Sequence, residues 1–113
     1  MEFEEIVSGF ILELRRGTIV LGVLSRLQEP TYGYNLIGSL STAGLNVEAN
    51  TLYPLLRRLE SQGLLESSWN TEGTKPRKYY CTTDLGSHVL EKLKSHWQNT
   101  VHSMNTLLGG LNL

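Results

Sequence analysis

The chain has 113 residues, enough for one small domain and too few for two. With 40% hydrophobic and 19% charged residues it can bury a core, which excludes a disordered chain, and a single cysteine excludes a disulfide-built module. Ten basic against eleven acidic residues give a net charge of −1, which excludes a protein that grips nucleic acid by bulk charge but not one with a local basic patch.

Residues 2–15 carry Phe3, Ile6, Val7, Phe10, Ile11 and Leu14 at three- and four-residue spacing, predicting an amphipathic helix with acidic groups at its start and Arg15-Arg16 at its end. The opening Met1-Glu2-Phe3-Glu4-Glu5 is acidic where a signal peptide is basic, so a cytoplasmic protein is expected. Gly17 is expected to break the run. Ile19, Val20, Val23, Leu24 and Leu27 then predict a second helix over 18–27, ended by Glu29-Pro30. Thr31 is the expected N-cap of a third helix, with Leu36, Ile37 and Leu40 buried and Gly44 closing it. A fourth helix over 48–62 places Leu52, Leu55, Leu56 and Leu59 on one face, with Pro54 near its start and Gly63 past its end.

The period then falls from about 3.6 to 2. Leu65, Ser67 and Trp69 alternate with Glu66 and Ser68, a polar loop follows, and residues 77–82 supply a second strand, a β-hairpin. Thr83 is expected to cap a last helix with Leu85, Val89, Leu90, Leu93, Trp97, Val101, Met104 and Leu108 on one side. Two stretches, 30–47 and 95–113, lack charge, yet both are rich in Ser, Thr, Asn and Gly, and neither holds an apolar run that could span a membrane. The fold class expected is mainly α with a small β-hairpin: a winged helix-turn-helix with N- and C-terminal helices on either side. Residues 1–82 would form the N-terminal helix and the winged helix-turn-helix, and 83–113 the C-terminal helix, of one compact unit.

The helix over 48–62 is the expected recognition element. Asn50 and Thr51 lie early, where side chains reach base edges, and Tyr53 and Arg57 have the length to meet phosphate. The hairpin adds Lys75, Arg77 and Lys78, so from 57 to 78 five basic residues face three acidic ones, Glu60, Glu66 and Glu72. All five tyrosines, including Tyr32 and Tyr34, fall between 32 and 80. A basic wing with phenols beside a helix is what backbone phosphates require. One of Tyr79 and Tyr80 is expected to pack inside the sheet instead.

Nothing in the chain predicts an enzyme, a metal site or a cofactor. His88, His96 and His102 are spaced by eight and six, which aligns no metal pair on a helix, and Cys81 reads as a buried strand residue. There is no phosphate loop and no GxGxxG.

The blocks Glu29-Pro30-Thr31-Tyr32-Gly33-Tyr34, Thr51-Leu52-Tyr53-Pro54-Leu55-Leu56-Arg57-Arg58-Leu59-Glu60 and Gly63-Leu64-Leu65, with the wing Glu72-Gly73-Thr74-Lys75-Pro76-Arg77-Lys78-Tyr79-Tyr80, resemble the PadR-type transcriptional regulators. The likeness covers roughly residues 13–93 and points to the short subclass with a single C-terminal helix. Glu48 stands where the family often has a small hydroxyl cap, and Asn50 where glycine is common. The resemblance implies a homodimeric bacterial repressor that binds inverted repeats, with half-sites of the ATGT/ACAT kind, and releases DNA on meeting a small molecule. It implies dimerisation through the first and last helices, here through Phe10, Leu14, Leu93, Trp97, Val101 and Met104. The uncharged stretch 95–113 agrees, because its apolar stripe has no element of its own chain left to cover it. Trp97 has two readings: an interface anchor, or one wall of a pocket between subunits that stacks on a planar aromatic effector. A winged helix that docks other proteins, and a small-molecule-binding dimer without DNA binding, are the rival functions.

Overall fold

A computed structural model describes residues 1–110; residues 111–113, the end of the uncharged stretch, lie outside them. The elements run α1 (Phe3–Arg26), β1 (Thr31–Tyr32), α2 (Gly33–Thr42), α3 (Ala49–Ser61), β2 (Leu65–Asn70), β3 (Arg77–Thr82) and α4 (Asp84–Leu107). The order is that of a winged helix-turn-helix between two long helices.

The two helices expected on either side of Gly17 are one. Gly17 lies inside the 24-residue α1, and a Cβ there would meet nothing. A helical glycine costs about 1 kcal/mol. Burying Val23, Leu24 and Leu27 beyond it contributes about 1.5–3 kcal/mol for each such side chain, so the glycine is outweighed.

Thr31 is not an N-cap. It pairs with Tyr80 in β1, its hydroxyl donating to the Glu29 carbonyl at 2.9 Å, and the N-cap of α2 is Tyr32, which makes no side-chain cap bond. Pro30 fixes its own φ and pushes Glu29 out of helical geometry, and the edge of β3 receives the extended chain that follows. The hairpin is therefore part of a three-stranded antiparallel sheet in the order β1-β3-β2.

Gly44 and Gly63 end α2 and α3 as expected, at φ +94° and +82°. In each case the residue after the glycine donates back to the helix, Leu45 to the Leu40 carbonyl at 2.8 Å and Leu64 to that of Leu59 at 2.9 Å. Pro54 is the sixth residue of α3 and so lies past the first turn. It forgoes the bond to the Asn50 carbonyl, which sits on an exposed residue open to water.

The core is Val23, Leu24 and Leu27 of α1, Leu36 and Leu40 of α2, Leu52, Leu56 and Leu59 of α3, and Val47, Leu65, Tyr80 and Leu90. It covers only the C-terminal half of α1 and the N-terminal third of α4. Beyond it the apolar stripes run on uncovered: Phe10 is 62% exposed, Leu14 77% and Trp97 45%.

Two adjacent threonines join the sheet to three helices. The Thr82 amide and hydroxyl both donate to the Leu27 carbonyl, at 2.8 and 2.9 Å. The Thr83 amide donates to the Leu64 carbonyl at 3.0 Å and its hydroxyl to that of Gly63 at 2.6 Å. The Thr83 oxygen accepts from the Gly86 amide at 3.0 Å, the N-cap expected for α4. Gly86 is there because nothing larger fits: a Cβ would run into the Leu64 carbonyl oxygen and Thr82 Cγ2. Gly86→Ala should lower stability by about 1–3 kcal/mol, read as a lower urea midpoint. An unchanged midpoint would mean that α4 can slide away from this junction.

Candidate nucleic-acid interface

The helical repeat sets Asn50, Pro54, Arg57 and Ser61 of α3 opposite the buried Leu52, Leu56 and Leu59. Asn50, Thr51 and Arg57 are all exposed. Thr51 and Arg58 turn toward α1, where they line a groove with Arg16 and Pro54. Arg16 is a cation beside the helix that sequence spacing assigns only to the end of the shorter helix expected before Gly17. Glu48 is the N-cap of α3 and makes no side-chain cap bond.

Tyr53 turns the other way and is half-buried. Its ring lies over Gly33, where a Cβ would stand 3.0 Å from Tyr53 Cε1. The glycine of Tyr32-Gly33-Tyr34 and the tyrosine of α3 are therefore one packing unit. Burial first, and then Tyr32 and Tyr80, push the Tyr53 phenol above its ordinary range.

Strand alternation sorts the wing into two faces. On the outer face Tyr32 packs between Tyr34 and Tyr79, with ring centroids 6.2 and 5.9 Å apart, and the Arg77 guanidinium stands 5.3 Å over the Tyr32 ring. Tyr34 is 69% exposed. On the inner face Tyr80 is the buried tyrosine, 4% exposed, and Lys78 lies beside it, half-buried. Lys75 is exposed in the turn at the wing tip.

Cys81 is half-buried on the outer face, not buried, since Tyr80 takes the inward position; its thiol donates to the Gln28 carbonyl at 3.7 Å. Burial, then Glu66 and Glu29, push that thiol up, which keeps it protonated. Among the described residues no cluster of His, Cys, Asp or Glu could hold a metal, and no helix is long and apolar enough to cross a membrane.

The residues expected at a dimer face lie on α1 and α4. Phe10, Leu14, Trp97 and Met104 are exposed, and Leu93 and Val101 are half-buried. An open groove of about 240 Å³ runs between Leu14, Thr18 and Leu21 of α1 and Leu93, His96 and Trp97 of α4.

The family model described as "Transcriptional regulator PadR-like family" matches residues 20–92. The chain belongs to the PadR-like family of transcriptional regulators. A crystal structure of a PadR family regulator from Eggerthella lenta shares 55% identity over 95% of this chain and 96% of its own, with a TM-score of 0.87. A PadR-like regulator from Bacillus cereus shares 32% identity over 87% and 98%, with a TM-score of 0.77. A transcriptional regulator of Mycobacterium tuberculosis is 34% identical over 79 residues, 69% of this chain and 74% of that protein. The PadR fold thus spans nearly the whole chain, and with it the family's role in transcription rather than in catalysis.

Gly33→Ala tests the pairing of the two PadR blocks. The added methyl should drive the Tyr53 ring outward, and its phenol should then titrate closer to the ordinary value of about 10, seen as an earlier tyrosinate rise in ultraviolet absorbance at alkaline pH. An unchanged titration would mean that the ring keeps its place.

Proposed function

We propose that this chain is a sequence-specific DNA-binding repressor that acts as a homodimer on an inverted repeat and responds to a small molecule. The observation that carries the reading is the arrangement of α3 and the wing. Exposed Asn50, Thr51 and Arg57 stand on the recognition helix, and Arg77, stacked on Tyr32, and Lys75 stand on the hairpin beside it. Asparagine can bond adenine through two contacts and threonine can touch a thymine methyl. The cations and the Tyr32–Tyr34 phenols suit the backbone. Residues 1–82 would supply this DNA-binding part and α4 (Asp84–Leu107) the dimerisation helix.

The uncovered stripes of α1 and α4 support the dimer: the described residues leave Phe10, Leu14, Trp97 and Met104 exposed, with Val101 half-buried among the same apolar groups. With two recognition helices on one side of the duplex, the half-sites would lie about one helical turn apart, some 34 Å. The open groove beside Trp97 suits a planar aromatic effector, and a second subunit would close it.

Fluorescence anisotropy with the duplex upstream of the chain's own gene, over a salt series, tests the reading. Arg77→Ala should weaken binding to all sequences alike and reduce the salt slope by about one. Asn50→Ala should cost about 1–3 kcal/mol on the specific duplex and little on random DNA. Binding without salt dependence, or none, would favour a protein-docking winged helix.

A further inference from the structure

Lys75, Arg77 and Lys78 look alike in sequence, yet the fold separates Lys78 from the other two. The β2–β3 register pairs Lys78 with Trp69 and Tyr80 with Ser67, which sets all four on the inner face, toward α3. There the Lys78 ammonium lies 3.8 Å from Glu60 Oε1, 5.3 Å from the centre of the Tyr80 ring and 5.8 Å from that of Trp69. The other carboxylate oxygen of Glu60 accepts the Ser67 hydroxyl. Glu60 lies near the C-terminal end of α3, where the helix dipole disfavours a negative charge. Its bonds to Ser67 and Lys78, one on each strand of the wing, compensate for that placement.

We propose that Lys78 is a positioning residue for DNA reading: tied to Glu60 and held over Tyr80 and Trp69, it fixes the angle between the wing and α3 and makes no phosphate contact of its own. The proposal rests on the DNA-binding reading above and divides its basic residues into two kinds. Arg77 is exposed and braced by a neutral phenol, so its charge is free for a phosphate. Lys78 is about one-third exposed, as is Glu60, at 32% and 33% of their side chains. A phosphate that reached Lys78 would have to approach the Glu60 carboxylate as well, and the repulsion would offset much of the attraction. Trp69, 64% exposed, has a place in the same scheme. Its indole extends the platform on which the lysine rests toward the wing tip, so the aromatic pair holds the lysine stem while Glu60 holds its charge.

The test compares Lys78→Met, Lys78→Arg and Glu60→Gln in the full chain. The Trp69 indole N–H resonance, assigned with Trp69→Phe, reports the wing without DNA. Anisotropy over a salt series reports binding. Lys78→Met and Glu60→Gln should both move the indole resonance and weaken specific binding about three- to tenfold, with the salt slope unchanged. Lys78→Arg, which keeps the charge and the stacking, should restore affinity. The proposal is overturned if Lys78→Met lowers the slope by about one while Glu60→Gln leaves binding unchanged or tighter, since that is the behaviour of a phosphate contact. It is also overturned if neither variant moves the indole resonance. Failure of the wild-type chain to bind any duplex would remove the DNA-binding reading and Lys78's part in it, while the indole resonance would still decide whether the strut exists.

Discussion

Thr82 and Thr83 hold the fold at the point where its elements converge. Buried backbone groups need partners, and here the Leu27 carbonyl closing α1, the Gly63 and Leu64 carbonyls in the turn after α3 and the Gly86 amide in the first turn of α4 meet at two adjacent residues. Satisfying all of them fixes where β3 stops and in which direction α4 leaves. The close approach of Gly86 to the Leu64 carbonyl removes the remaining freedom. The direction in which α4 leaves matters because α4 carries the exposed Trp97 and Met104. In the proposed dimer, the distance between two recognition helices is set by how α3 sits relative to α4 within each chain.

The proposed response to a small molecule would run through α1. α1 lies between the Trp97 groove and the helix-turn-helix: Leu14, Thr18 and Leu21 line that groove, and Arg15 donates to the Asn46 carbonyl in the turn before α3. Ser41 of α2 donates to the Asn46 side chain at 2.8 Å, which braces the turn. A ligand in the groove can alter DNA affinity only if it prefers one arrangement of these helices over another. The bonds at Asn46 give a displacement of α1 a direct connection to α3.

Much of this was legible in the sequence, and the limits have physical causes. The buried leucines of α3, the glycines at 44 and 63, the Thr83 cap and the two hairpin strands follow from periodicity and backbone preference, which act locally. Gly17 and Thr31 were misread because long-range packing decided them. The core beyond Gly17 outweighs its propensity, and the edge of β3 captures Thr31 before it can cap a helix. The wing was legible as a basic cluster with one inward tyrosine, but not as cations divided between two faces. Only the register, with Tyr80 pointing inward, shows that Lys78 shares the side of Glu60 while Arg77 shares the side of Tyr32. The pairing of Gly33 with Tyr53 was likewise hidden, since neither residue's own neighbours in the chain announce it.

The central claim is that two copies of this chain, joined through α1 and α4, present two α3 helices to one duplex. Sedimentation equilibrium of the chain, free and mixed with an inverted-repeat duplex, tests it most directly. The account predicts a free particle of twice 12.7 kDa and a complex with two chains on each duplex. A free particle of 12.7 kDa with its helical content intact, or a complex with one chain per duplex, would contradict it.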